Sequence, residues 1–221
     1  MRQLALPFAH RQHFARADFV AASSNAAARA WLEAGARWPD HRLALWGEAG
    51  CGKTHLLHLW AGTYSALLLP GTALRGLGGL AQVDADIGGI ALDDADMAVD
   101  ELALLHLLNA ARERALPVLL AGRAPPSRWA VRLPDLASRL RATAAVAVGQ
   151  PEEALLRILL RRLLAERQLA VPQPVVEWLL RHLPRQAHAM REAARRLDAA
   201  ALASGTAVTR SLAAAVLDEL A

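Results

Sequence analysis

The sequence has little sulfur and few aromatic rings. A single cysteine, Cys51, excludes an internal disulfide and indicates a reducing compartment. Aromatic residues make up 5% of the 221 residues and apolar residues 54%, many of them alanine and leucine, which favours helices over an all-β sandwich. No apolar run approaches the roughly 20 residues that span a bilayer. The N-terminus also lacks a secretory pattern, so we expect a cytoplasmic protein without membrane contact.

Lysine is almost absent, because every basic residue except Lys53 is arginine. Arginine and lysine exchange readily on a solvated surface, so one retained lysine indicates a position that needs a compact ammonium group. The formal net charge is +4, with no long basic run, and charge alone therefore indicates nucleic-acid binding only weakly. Lys53 is the first candidate functional residue.

Lys53 belongs to the octapeptide Gly-Glu-Ala-Gly-Cys-Gly-Lys-Thr at residues 47–54, which matches the phosphate-binding spacing G-x-x-x-x-G-K-[ST]. An apolar strand is predicted before it and a helix after it. In such a loop successive backbone N–H groups point at phosphates, the lysine neutralises them and the Thr54 hydroxyl ligates Mg²⁺. We therefore predict that ADP or ATP is bound by Gly47, Gly50, Cys51, Gly52, Lys53, Thr54 and His55.

Two acids follow the apolar run that ends at Leu92. A phosphate-binding loop needs a carboxylate at the tip of a neighbouring strand, and Asp93 fits the role of holding Mg²⁺. Asp94 would then polarise the attacking water as a catalytic residue. The alternative is a pair of acids that merely ends the strand. His55 and His58 resemble a metal pair, but ordinary helix histidines are the favoured interpretation.

Short apolar runs alternate with helical patterns up to residue 149, which predicts an α/β fold with a five-stranded parallel sheet. The strands are predicted at residues 43–46, 66–69, 87–92, 118–121 and 144–148. Helices are predicted at residues 25–36, 53–62, 97–115 and 133–141, the third with Leu102, Leu105, Leu108 and Ala111 spaced by three. From Pro151 the pattern is helical throughout, with helices at residues 152–168, 175–183, 187–203 and 209–220. We thus divide the chain into a tail (1–12), a nucleotide-binding domain (13–149) and a small all-α lid domain (150–221).

With these residues in place, the sequence resembles the DnaA family of bacterial initiator ATPases, of the AAA+ type, over almost its whole length. Residues 19–28 are similar to the stretch that lies against adenine in that family, which implies that Phe19 and Val20 contact the base. Residues 133–140, Leu-Pro-Asp-Leu-Ala-Ser-Arg-Leu, are similar to the family segment that presents an arginine finger. The resemblance implies that Arg139 reaches the γ-phosphate held by a neighbouring protein.

Two features are more similar to the short regulatory Hda branch of that family. The chain stops at Ala221, where the initiators continue into a DNA-binding domain, so sequence-specific DNA binding is not expected. The N-terminal residues are similar to a peptide that docks on the DNA polymerase sliding clamp. This resemblance implies that the clamp is bound by Gln3, Leu4, Leu6, Pro7 and Phe8. The alternative is an apolar N-terminus that packs on its own core.

The sequence also departs from the family. After the fourth strand, relatives carry a polar residue that senses the nucleotide, and this chain has Arg123 there. In the lid domain, relatives carry a second sensor residue, an arginine, and here His188 takes its place as a nucleotide contact. Both changes predict weak hydrolysis of its own nucleotide. The expected function is a clamp-associated regulator that stimulates ATP hydrolysis by DnaA and so inhibits re-initiation of replication; self-association is left open. The alternatives are a self-contained ATPase that loads helicases or remodels DNA, and an adaptor without activating role.

Overall fold

The structure is a computed structural model that describes residues 19–34, 37–75, 87–98 and 100–218. These residues fall into two compact units. Phe19 and Ser23–Gly149 form an α/β unit, and residues 20–22 and 150–218 form a helical unit. Among the described residues, no helix has the combination of length and apolar character that crossing a bilayer requires.

The α/β unit is built on a parallel sheet of five strands in the order β2-β3-β4-β1-β5. The strands are β1 (Arg42–Trp46), β2 (Leu67–Pro70), β3 (Ile90–Asp93), β4 (Val118–Gly122) and β5 (Ala144–Ala147). Central strand β1 pairs in register with β4 on one side and β5 on the other. Since all five strands are parallel, their carboxyl ends form one edge of the sheet and their amino ends form the opposite edge. The predicted fold class is confirmed.

Helices cover both faces of this sheet. They are α1 (Ser23–Glu33), α2 (Lys53–Tyr64), α3 (Glu101–Glu113) and α4 (Pro134–Arg141). Helices α1 and α2 pack on one face, against side chains such as Leu43 and Leu45 of β1. Helices α3 and α4 pack on the other face, with Ala44 of the same strand. The three central strands β3, β4 and β1 are mainly apolar because both of their faces are buried, while the edge strands β2 and β5 are only partly buried.

The prediction for the third helix was partly wrong. Met97, Ala98 and Asp100 lie outside it, because Asp100 accepts a hydrogen bond from the backbone N–H of Ala103 and so caps a helix that begins at Glu101. Leu102 is 51% exposed and does not face the core as its spacing predicted. The side chains that do face the core are Ala103, Leu104, Leu107, Leu108 and Ala111.

The helical unit contains α5 (Glu153–Glu166), α6 (Gln173–His182), α7 (Ala187–Ser204) and α8 (Arg210–Asp218). Its core is a separate cluster of leucine, valine and alanine side chains contributed by all four helices. On α7, Glu192 is held by the guanidinium groups of Arg195 and Arg196, at 2.6 and 2.7 Å from its Oε1.

These two arginines lower the pKa of Glu192 to about 2. A carboxyl group whose pKa is depressed by folding stabilises the protein fully above its ordinary pKa, and this contribution is lost as the pH falls toward 2. Glu192→Gln should therefore lower the free energy of unfolding at pH 7, by less than about 1 kcal/mol because the pair is partly solvated. In urea titrations the difference from the parent protein should shrink below pH 4.5. A difference that stayed constant down to pH 2 would contradict this assignment.

Candidate functional site

The loop between β1 and α2 lies at the carboxyl edge of the sheet. Its Gly50 and Gly52 have φ angles of +79° and +109°, a backbone region that residues with a Cβ rarely adopt. These turns bring the chain directly to the first residue of α2, a helix of 12 residues that begins at Lys53 without a side-chain cap from Gly52. Successive backbone donors and the positive end of a helix dipole are thus placed together, which is the physical requirement for binding an anion.

Lys53 is held over this loop. Its side chain is buried, with 8% exposed, and its Nζ donates hydrogen bonds to the carbonyl oxygens of Gly47 at 2.7 Å and Glu48 at 2.9 Å. Cys51 Sγ lies 3.7 Å from the same nitrogen. The ammonium group is therefore fixed by the loop backbone and has no carboxylate among these contacts to neutralise it. Its charge is available to a bound anion.

Thr54 and Asp93 meet beside the loop, although they are 39 positions apart in the sequence. The hydroxyl Oγ1 of Thr54 donates to Oδ2 of Asp93 at 2.7 Å, and the other carboxylate oxygen accepts from the backbone N–H of Asp94 at 3.1 Å. A hydroxyl and a carboxylate are the oxygen ligands that Mg²⁺ prefers. These two residues fit a magnesium ion bound next to the phosphate loop.

Asp94 follows directly and has a left-handed backbone, with φ +48° and ψ +44°. Aspartate tolerates this conformation better than most residues with a Cβ. Its side chain is exposed, yet partial desolvation raises its pKa, and the charges of Asp93 and Asp96 raise it further against the opposing effect of Lys53 and Arg123. The structure thus places a second carboxylate beside the phosphate loop, in an environment that raises its pKa.

Asp96 is a residue that the sequence analysis missed. Its Oδ2 accepts a hydrogen bond from the backbone N–H of Arg123 at 2.7 Å, directly after the end of β4. Its Oδ1 is buried without a partner in the described part of the chain. The carboxylate of Asp96 therefore fixes the backbone at Arg123, the residue that follows the end of β4. The signal in the sequence was a third acid that follows the Asp93–Asp94 pair.

Phe19 lies against the first turn of α2. Its ring meets that of His55 edge-on, with centroids 5.4 Å apart. Of the two predicted base contacts, Phe19 thus lies beside His55 in the α/β unit, and Val20 is assigned to the helical unit. Among the residues described, no group of three or more His, Cys, Asp or Glu side chains that could hold a metal ion is present.

Arg139 lies in the last turn of α4, half-buried, and its backbone carbonyl accepts a hydrogen bond from the Thr143 hydroxyl at 2.9 Å. Helix α4 leads into the start of β5, whereas the phosphate loop follows the end of β1. Because these strands are parallel and adjacent, Arg139 and the loop lie at opposite edges of the sheet. The structure does not bring Arg139 to its own phosphate loop.

On α7 of the helical unit, His188 is exposed and Arg191 is partly buried. Desolvation alone lowers the pKa of Arg191, and in the part of the chain that the structure describes no carboxylate is paired with this guanidinium. A desolvated cation without a counter-ion is costly unless a ligand supplies the negative charge. Arg191 is therefore a better candidate than His188 for contact with an anion. Sequence spacing along a helix could not distinguish exposed from desolvated positions.

The predicted clamp-binding residues Gln3, Leu4, Leu6, Pro7 and Phe8 lie outside the described residues, as does the whole tail of residues 1–12.

No known protein-family model matches the sequence. The fold, however, is similar to that of solved replication proteins. Domain III of the replication initiation protein DnaA from Thermotoga maritima superposes with a TM-score of 0.78 at 17% sequence identity, covering 93% of this chain and 96% of that one. DnaA from Aquifex aeolicus, in a structure bound to AMPPCP, gives a TM-score of 0.63 at 16% identity over 80% of this chain and 62% of that one.

A RuvB variant from Thermotoga maritima gives a TM-score of 0.67 at 17% identity, over 89% of this chain and 68% of that one. At these identities the similarity concerns the fold. The chain has the AAA+ P-loop fold of DnaA domain III, with the five-stranded parallel sheet and its flanking helices.

Proposed function

We propose that this chain binds an adenine nucleotide and acts as a clamp-associated regulator of the Hda type, stimulating ATP hydrolysis by DnaA. The single observation that carries the nucleotide site is the position of Lys53, whose ammonium is fixed over the phosphate loop by two carbonyl oxygens. The fold supports the proposal, because a DnaA structure with this fold is bound to AMPPCP.

The phosphates of ADP or ATP would be held by the loop backbone around Gly50 and Gly52 and by Lys53. Thr54 and Asp93 would hold Mg²⁺, which neutralises part of the polyphosphate charge when bound. Phe19 and His55 offer ring faces and edges for the adenine at the start of α2. The raised pKa of Asp94 makes this carboxylate a better proton acceptor, which suits the proposed role of polarising the attacking water. The expectation of weak intrinsic hydrolysis rests on Arg123 and His188 instead.

The activating step is proposed to occur in trans through Arg139. This side chain is partly exposed at the sheet edge opposite its own phosphate loop, which suits contact with another protein. An arginine finger stabilises the charge that develops on the transferred phosphoryl group and is worth about 10³–10⁵ in rate. Such a contribution would exceed what this chain's own site achieves.

The clamp contact is proposed from the sequence of residues 3–8. Tethering to a DNA-loaded clamp raises the effective concentration of the regulator without any new contact to its target. The direct experiment measures hydrolysis of DnaA-bound ATP in the presence of clamp-loaded DNA, with the intact chain and with a variant lacking residues 1–8. We expect stimulation by the intact chain and loss of most of it on truncation.

A matched control keeps the tail but replaces Leu6 and Phe8 with alanine, which removes the proposed apolar anchors while preserving chain length. The same loss as with the truncation is expected. Full stimulation by both variants would refute the clamp tether, and absence of stimulation by the intact chain would refute the regulator.

A second candidate is a self-contained ATPase that loads helicases or remodels DNA. The observation in its favour is that Lys53, Thr54, Asp93 and Asp94 form a complete set around the loop. This candidate requires steady ATP turnover by the isolated protein with stimulation by DNA. The regulator requires turnover that is slow alone and depends on DnaA.

Arg191 and His188 are the two candidate nucleotide contacts in the lid domain, and their replacement should change nucleotide affinity to different extents. Arg191→Ala removes a desolvated guanidinium and should weaken ATP binding about tenfold, while His188→Ala removes an exposed side chain and should leave affinity within twofold. Fluorescence titration with a labelled ATP measures both values under the same conditions. The reverse order would show that the lid contact belongs to His188.

A further inference from the structure

The strand order brings three arginine-bearing segments to one edge of the sheet. Strands β4, β1 and β5 are neighbours, and the residues that lead into their amino ends are 112–117, 37–42 and 139–144. Together these segments contain six arginines and two acids, Asp40 and Glu113. We call this surface the basic edge. Its arginines are Arg37, Arg42, Arg112, Arg114, Arg139 and Arg141.

Most of this positive charge is accessible and unneutralised. Arg37, Arg112, Arg114 and Arg141 are exposed, and no ion pair joins any of them to an acid within the described residues. Asp40 is already engaged, because its Oδ2 accepts from Arg42 Nη2 at 2.8 Å. Glu113 is thus the one remaining acid in these segments. The basic edge carries a clear excess of positive charge.

Arg42 shows that the cations of the three segments lie close together. Its side chain is 3% exposed, and its Nε and Nη1 have no hydrogen-bond partner among the residues described. Burial lowers the pKa of this guanidinium in spite of Asp40, and the nearby charges of Arg139 and Arg112 lower it further. Guanidinium groups from β1, α3 and α4 therefore repel one another at this edge. A bound anion would relieve that repulsion.

A simpler explanation is that arginines stabilise the carboxyl ends of helices through the helix dipole. This preference is not general in the chain, since the last turns of α1, α2, α5, α7 and α8 contain no basic residue. The dipole effect also leaves Arg37 and Arg42 unexplained, because neither lies in a helix. The positions of the arginines in the basic edge are therefore explained by the edge of the sheet and not by the ends of helices.

The chemistry of the edge indicates its ligand. None of the large exposed apolar side chains of the described chain belongs to these segments, so the apolar centre of a protein interface is missing here. Trp38 is 3% exposed and the His41 ring is half-buried, so these segments present no fully exposed ring on which unpaired bases could stack. A surface that has unneutralised arginines, but neither an apolar centre nor a ring for base stacking, suits contact with the phosphate groups of a nucleic acid.

We propose that the basic edge binds the phosphate backbone of duplex DNA without reading its sequence. This goes beyond the proposed regulatory function, and it is tested without clamp, nucleotide or DnaA. The assay is fluorescence anisotropy of a labelled 20-base-pair duplex at salt concentrations from 50 to 200 mM. Four phosphate contacts predict a slope of about −3.6 in a plot of log affinity against log salt, or a loss of roughly 150-fold over this range.

The test variant replaces Arg37, Arg112, Arg114 and Arg141 with glutamine and leaves Arg42 and Arg139 unchanged. The matched control makes the same change of charge in the helical unit, at the exposed Arg161, Arg181, Arg185 and Arg210. We expect the test variant to lose at least about tenfold in affinity at 50 mM salt with a much shallower slope, and the control to stay within about twofold to threefold. Circular dichroism melting verifies that both variants fold.

Three results with the duplex would overturn the proposal. They are no binding of duplex by the parent protein at 50 mM salt, equal loss in the two variants, and unchanged duplex affinity in the test variant. In the last case, loss of association with the clamp or DnaA would assign the basic edge to an acidic protein surface instead. A single-stranded 20-mer bound more tightly than the duplex would also contradict it.

Discussion

Replacing Lys53 with alanine is expected to weaken the binding of ADP and ATP by at least about a hundredfold. The ammonium is buried above the loop and is held by Gly47 and Glu48, so its charge acts on a bound polyphosphate at short range and with little solvent screening. Hydrogen bonds to charged groups contribute about 1.5–3 kcal/mol each, and two of them account for a loss of this size. Isothermal titration with Mg²⁺ present measures it.

Two further variants separate the geometry of the group from its charge. Lys53→Arg keeps the charge but replaces a slim ammonium with a planar fork that the two carbonyl oxygens do not fit, and it should also bind poorly. Arg128→Ala removes an exposed cation outside the loop and should leave affinity unchanged. Nucleotide binding by Lys53→Ala within threefold of the parent value would remove Lys53 from the site.

Replacing Arg139 with alanine should reduce the stimulation of DnaA-bound ATP hydrolysis by about 10³ or more, because an arginine finger acts almost entirely in the transition state. The side chain is half-buried and makes no ion pair within the described residues, so its loss should leave the fold intact. Single-turnover hydrolysis with clamp-loaded DNA isolates the chemical step from assembly.

The matched control is Arg141→Ala, two positions further along the same helix and exposed. It removes an equal charge and should cost less than about tenfold if Arg139 alone is the finger. Arg139→Lys is informative because an ammonium cannot make the two parallel contacts of a guanidinium, so most of the loss should persist. Unchanged stimulation by Arg139→Ala would mean that the activating group lies elsewhere.

The strand, loop and helix around residues 47–54 could be predicted from the sequence because the pattern is local. Gly50, Gly52 and Lys53 are close in the chain, and the backbone conformation that they need depends on few distant residues. Each predicted strand is also present, since a strand buried on both faces consists of consecutive apolar residues. The helices of the second unit begin and end within a few residues of their predicted bounds, because prolines and Gly205 interrupt the helical pattern between them.

Features that depend on how side chains pack in the folded protein could not be predicted from the sequence pattern. Leu102 is exposed although its spacing suggested a core position, because the cap at Asp100 and the packing of α3 on the sheet determine which face is buried. The contact of Asp96 with the backbone of Arg123 joins residues 27 positions apart. The desolvation of Arg191 is a property of the folded chain that spacing along one helix does not reveal.

The basic edge was equally invisible in the sequence. Its arginines are spread over about a hundred positions and form no run, so the charge pattern indicated nucleic-acid binding only weakly. The strand order β4-β1-β5 is what brings them together. Parallel strands gather their amino ends at one edge whatever their separation in the chain.

The central claim is that a loop of backbone donors with one ammonium binds the polyphosphate of a nucleotide. Isothermal titration of the intact protein with ADP in the presence of Mg²⁺ tests it most directly. We expect saturable binding of one ADP per chain, with an affinity in the micromolar range or tighter, competed by ATP. If neither nucleotide bound at millimolar concentration, the claim would be contradicted and the proposed regulatory mechanism would lose its basis.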